Sequence, residues 1–128
     1  MARRDLPDLS RFELQCLRLL WGRGEASAKD IHAAIVDPPS YSTVRKIFER
    51  LEEKGAVERT GKDGRAFLYR PRVSRRAMMR KEIERFLDSL FDGAAAPLLS
   101  HLARMQAVDL DDLRELEREL ADAEEAER

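Results

Sequence analysis

From Ser10 onward, apolar side chains recur at intervals of three and four: Phe12, Cys16, Leu17, Leu19 and Leu20. This spacing predicts an amphipathic helix over Arg11 to Trp21, opened by a capping box of Ser10 and Glu13 and stopped at "GRG". Ser27 and Asp30 open a second, shorter helix with Ala28, Ile31 and Ile35 on one face, and "DPP" at Asp37 to Pro39 ends it. A third follows with Ser40 as its cap, a stripe of Val44, Ile47, Phe48 and Leu51, and Gly55 suited to the left-handed C-terminal position. The period then drops to two. Val57 and Arg59 precede a "GKDG" turn and Ala66 to Arg70 follow it, the pattern of a β-hairpin, which Pro71 closes.

The second half returns to helical spacing. Met79, Ile83, Phe86, Leu87 and Leu90 form a stripe on a long helix from Ser74 to about Asp92, with Gly93 as its stop. Leu98, Leu99 and Leu102 lie on a shorter piece after Pro97, and Asp109 with Asp112 caps a last helix bearing Leu113, Leu116 and Leu120. The terminal "ADAEEAER" has little to bury and is expected to fray. The predicted fold is therefore mainly α with a small β-hairpin: an N-terminal winged helix-turn-helix over 1–72, then a C-terminal helical region over 73–128. Three amphipathic helices in so short a stretch lack a core of their own. They are expected to dimerise, with Met79, Ile83, Phe86, Leu87, Leu90, Leu98, Leu99, Leu102, Leu113, Leu116 and Leu120 meshing between two copies.

Composition narrows the function. An apolar fraction of 43% in 128 residues supports a real core, while a charged fraction of 38% fits helices with solvated outer faces. The net charge of −1 conceals a division: residues 1–72 hold 15 Lys+Arg against 11 Asp+Glu, and residues 73–128 hold 9 against 14. A basic binding face on the first half is thus compatible with a nearly neutral total. Cys16, the single cysteine, sits among apolar neighbours as a small buried residue, which suits a reducing cytoplasm. No apolar run approaches the roughly 18 residues a membrane span needs, and "MARRDLPDLS" lacks the apolar segment of a secretory signal, so cytoplasmic location without membrane insertion is expected. His32 and His101 stand apart from any ligand motif and no glycine-rich phosphate loop occurs, so neither metal, cofactor nor catalytic residue is expected and the chain does not read as an enzyme.

The third helix carries the chemistry. At its start Ser42, Thr43 and Arg45 offer hydroxyls and a bidentate donor suited to base edges in a major groove. Ser40, Tyr41, Lys46 and Arg50, with Lys62 and Arg65 on the hairpin tip, suit the DNA backbone. An ordinary solvated helix would place acids first, whereas here the cations come first and Glu49, Glu52 and Glu53 follow, against the macrodipole preference. A phosphate at that end would reverse the small cost. The rival reading is a winged-helix protein-interaction adaptor whose third helix is merely solvated and whose acidic second half recruits a basic partner. A dimer would read two half-sites spaced by whole helical turns of double-stranded operator DNA.

"LSRFELQCLRLLWGRGEASAKDI", "YSTVRKIFERLEEKGAVER" and "GRAFLYRP" together resemble the penicillinase-repressor family, the BlaI, MecI and CopY group, over nearly the whole chain. The resemblance implies a homodimeric winged-helix repressor on inverted-repeat operators, with Thr43 and Arg45 approaching base edges and Ser42 at a place often held by Lys or another polar residue. It also implies, for penicillin-responsive members, a membrane sensor-protease system that causes cleavage between Asn and Phe. That bond aligns near His101-Leu102, where neither residue matches. The C-terminal cysteine motifs of copper-responsive relatives are absent.

Overall fold

The computed structural model describes residues 6–127, so the first five residues of the N-terminal stretch and Arg128 of the tail lie outside it. Among the described residues the elements follow in order: α1 (Arg11–Arg23), β1 (Ala26–Ser27), α2 (Ala28–Ala34), α3 (Tyr41–Glu53), β2 (Val57–Asp63), β3 (Ala66–Pro71), α4 (Arg75–Leu90), α5 (Ala95–Arg104) and α6 (Leu110–Ala126). The chain forms two compact units, Met1–Lys81 and Glu82–Arg128.

In the first unit, α1 to α3 bury one stripe each around a common core. Leu17 and Leu20 of α1, Ile31 of α2, and Val44, Phe48 and Leu51 of α3 are fully enclosed, as is Met78 from the first turn of α4. The sheet covers this core in the order β1-β3-β2, all antiparallel. Tyr69 of β3 is buried with its ring centroid 5.0 Å from that of Phe48, which joins the hairpin to α3. The Trp21 indole donates to the Val73 carbonyl at 3.1 Å, and Lys81 Nζ donates to the carbonyls of Leu6 and Pro7, so the entry and exit of this unit are tied down.

Three reciprocal capping boxes form, at Ser10/Glu13, Ser27/Asp30 and Asp109/Asp112. Other expectations are corrected. A third strand, β1, was not expected; its two residues pair Ala26 with Tyr69 and Ser27 with Leu68. The hairpin turn is not "GKDG": β2 continues through Gly61 to Asp63, and the chain reverses at Gly64–Arg65, where Gly64 takes a positive φ of 66°. A bulge between Arg59 and Gly61 absorbs the extra residue. α1 runs two residues past Trp21, and α2 stops at Ala34, before "DPP".

In the second unit, α5 begins before Pro97 because the first turn of a helix needs no amide from that residue. The tail does not fray as expected: α6 stays helical to Ala126, its alanines and glutamates being strong helix formers. Phe86 and Phe91 pack at 5.7 Å, and Phe91 meets the His101 ring at 6.1 Å.

Glu13 is the buried charge of the first unit. Its Oε1 accepts from Ser10 N at 2.8 Å and from Lys54 Nζ at 2.7 Å, whereas Oε2 is buried without a partner among the described residues. Burial acts to raise this carboxyl, but the Lys54 ammonium and the Ser10 bonds outweigh it and hold it below its ordinary value. Because the folded-state value is the lower one, the interaction contributes fully above the ordinary carboxylate range and is lost as pH falls through the folded value. Glu13→Gln should therefore cost about 1 to 3 kcal/mol in urea unfolding at neutral pH. The gap to the parent should close as pH falls below about 4.3. Cys16, fully enclosed, has its thiol pushed up to about 12, first by burial and then by the nearby Glu13 charge. A disulfide reagent at neutral pH should modify it only at the rate of global unfolding, and rapid modification of the native protein would contradict this burial.

Candidate nucleic-acid interface

Four buried residues, Val44, Ile47, Phe48 and Leu51, fix which side of α3 faces outward. The exposed side opens with Tyr41, Ser42 and Thr43 and continues with Arg45, Lys46, Glu49 and Arg50. Ser40, the cap, accepts from Thr43 N at 3.2 Å; its hydroxyl also lies 2.8 Å from Thr43 Oγ1 and 3.2 Å from Ser42 Oγ. Three hydroxyls thus cluster at the helix start, and no acidic residue stands in the first turn. The loop before α3 is held by His32, whose Nε2 donates to the Pro39 carbonyl at 2.9 Å. The Tyr41 ring sits edge-on to the same imidazole at 5.9 Å.

A cleft of about 710 Å³ lies between the start of α2, the start of α3 and the hairpin tip. Its walls bring Arg45 and Tyr41 of α3 together with Lys29 of α2 and Arg65 and Phe67 of the hairpin. Asp30 and Asp63 also line it, but the Asp30 carboxylate is engaged by the Ser27 amide, and that bond lowers its pKa. Lys46 and Arg50 stand further along α3, outside the cleft, and Lys62 lies 5.0 Å from the Phe67 ring. Arg45, Lys46, Arg50 and Arg65 enter no ion pair among the described residues. By contrast Arg59 pairs with Glu52 at 3.1 Å, and Arg70 and Arg72 both pair with Glu58. Burial raises the Tyr69 phenol, against which Arg59 acts in the opposite sense.

One cation of the cleft, and one that braces the hairpin against α3, escaped sequence reasoning. Lys29 lies inside the α2 capping box, between Ser27 and Asp30, and only the packing of α2 beside the hairpin brings it to the cleft. Arg59 lies on a strand whose bulge cannot be read from period-two spacing. Of the apolar positions in the second half, Met79, Ile83, Phe86, Leu90, Leu99, Leu113, Leu116 and Leu120 are exposed, whereas Leu87, Leu98 and Leu102 are half-buried. Among the described residues, no three His, Cys, Asp or Glu side chains are grouped to hold a metal ion, and no helix is long and apolar enough to cross a membrane.

Three helices, a three-stranded sheet and a hairpin beside the last helix define a winged helix-turn-helix. The solution structure of the DNA-binding domain of the repressor BlaI matches 56% of this chain and 89% of its own, with 24% identity and a TM-score of 0.50. The hsRosR-S4 complex matches over 100% of both chains with 20% identity and a TM-score of 0.57. The penicillinase repressor of Bacillus licheniformis is 20% identical over 113 residues, covering 87% of this chain and 88% of its own. The penicillinase repressor family matches residues 9–122, and the chain belongs to that family. It is accordingly a DNA-binding transcriptional repressor and not an enzyme.

Proposed function

We propose that the chain works as a homodimer that reads two half-sites of an inverted-repeat operator in double-stranded DNA, in the cytoplasm, and blocks transcription there. In this reading residues 1–72 bind DNA and residues 73–128 dimerise. The observation that carries it is the start of α3: hydroxyls and a cation face outward from a helix whose other side is locked in the core, with the wing's Arg65 across the same cleft. Ser42, Thr43 and Arg45 take the base edges, where an Arg can donate twice to guanine. Tyr41, Lys46, Arg50, Lys62 and Arg65 take the sugar-phosphate backbone, and Ser40 orients the first turn through its cap.

The dimer part rests on exposed leucines. Leu116 is 44% exposed and Leu120 58% exposed, on an α6 that buries no residue within its own chain. Each such side chain enclosed by a second copy would contribute about 1.5 to 3 kcal/mol. Two linked reading heads then bind through effective concentration, and any event that separates them releases the operator. One such event is cleavage by a sensor-protease system. His101 and Leu102 lie within α5, so a protease would reach that bond only after the helix opens.

Arg45→Ala should weaken binding to a duplex selected from a randomised pool by about 1 to 3 kcal/mol and relax preference at one base pair. The parent's affinity should fall steeply with ionic strength, and a flat salt response would instead support the protein-adaptor alternative. Leu116→Asp combined with Leu120→Asp should halve the mass seen in sedimentation and weaken binding to the two-half-site duplex. A dimer that survives both changes would move the interface elsewhere.

A further inference from the structure

Arg59 belongs neither to the outward face of α3 nor to the hairpin tip, yet it touches both elements. Its Nε lies 3.1 Å from Glu52 Oε2 in the last turn of α3, and its guanidinium carbon lies 3.9 Å from the centroid of the Phe67 ring in β3. The residue opposite it in the ladder is Tyr69, whose ring packs on Phe48 of α3. In a regular strand residues 59 and 62 would face opposite sides. Here the bulge absorbs one residue, so that Arg59 pairs with Tyr69 and Lys62 with Phe67, and both cations reach the same face. The remaining charged pairs of the hairpin join strand to strand: Arg70 and Arg72 are held by Glu58 and do not reach α3.

A guanidinium can lie flat on a ring while donating in its own plane to a carboxylate, whereas an ammonium cannot do both. We infer that Arg59 is a positioning residue that sets the angle of the wing against α3, so that Lys62 and Arg65 meet the duplex that α3 reads. This rests on the DNA reading proposed above. In this role Arg59 braces the wing through Glu52 and Phe67 rather than acting as a phosphate ligand.

The test uses the full chain and a duplex recovered from a randomised pool, with titrations at several salt concentrations. Arg59→Lys should bind about three- to tenfold more weakly than the parent and lower the salt slope by about one to two units, the loss of the wing's phosphate contacts. Glu52→Gln should weaken binding in the same direction, and Arg65→Ala should add little on top of Arg59→Lys. A phosphate ligand would behave otherwise: Arg59→Lys would bind like the parent and Glu52→Gln at least as well, and either result overturns the inference. Losses from Arg59→Lys and Arg65→Ala that simply add also overturn it. A parent protein that retains no duplex at all would remove the DNA reading itself, and the wing's role with it.

Discussion

The direction in which α3 presents its polar face depends on the burial of one stripe of that helix. Val44, Phe48 and Leu51 are sealed completely and Ile47 almost so, which leaves the helix no freedom to turn about its axis. A rotation by a single residue, about 100°, would expose Phe48 and press Arg45 or Glu49 toward an apolar interior, a cost of several kcal/mol for an unpaired charge. The outward direction of Ser42, Arg45 and Lys46 is therefore set by the core. The same Phe48 carries Tyr69, so the helix and the hairpin beside it share one anchor.

The helix starts fall into two groups, and α3 belongs with α4 and α5, which carry no acid in the first turn. α1, α2 and α6 each have an acid at the third helical position, Glu13, Asp30 and Asp112, which returns a bond to its cap and offsets the helix dipole. α3 has Thr43 there, and Ser40 caps it without the reciprocal carboxylate. An acid at that place would add about 0.3 to 1 kcal/mol to the free protein. α3 forgoes that gain and leaves its positive end uncompensated. A phosphate from outside can occupy the place that a carboxylate fills in α1, α2 and α6.

Local rules made most of the fold legible. Caps, apolar stripes and the switch of period located the helices and the hairpin, because each of these signals acts within a few residues. What escaped depends on contacts between distant segments. β1 is two residues long and exists only because β3 lies alongside it. Gly61 and Gly64 look equally suited to a turn, yet only Gly64 adopts a positive φ, since the bulge carries β2 past Gly61. The tail buries little, which argues for fraying, yet Glu115 and Arg118, and Arg118 and Asp122, stand at helix-pairing intervals that favour the helix. Within the candidate interface, Arg45 could be read from the sequence because the stripe behind it predicts its direction, while Lys29 and Arg59 required tertiary structure.

A chain of net charge −1 has little long-range attraction for DNA, so recognition has to come from how its charges are arranged. In the first unit several acids are engaged internally: Glu13 with Lys54, Asp30 with its cap, Glu52 with Arg59, and Glu58 with Arg70 and Arg72. The ion pairs among these offset negative charge that would otherwise oppose a phosphate, whereas Asp30 stays ionised at the cleft wall. Arg45, Lys46 and Arg50 on α3 and Arg65 on the wing are among the cations that enter no ion pair among the described residues, while Glu49 and Glu53 fall in the later half of α3. Net charge alone therefore does not decide the proposed interface; the fold does, by bringing Arg45 of α3, Lys29 of α2 and Arg65 of the wing to one cleft.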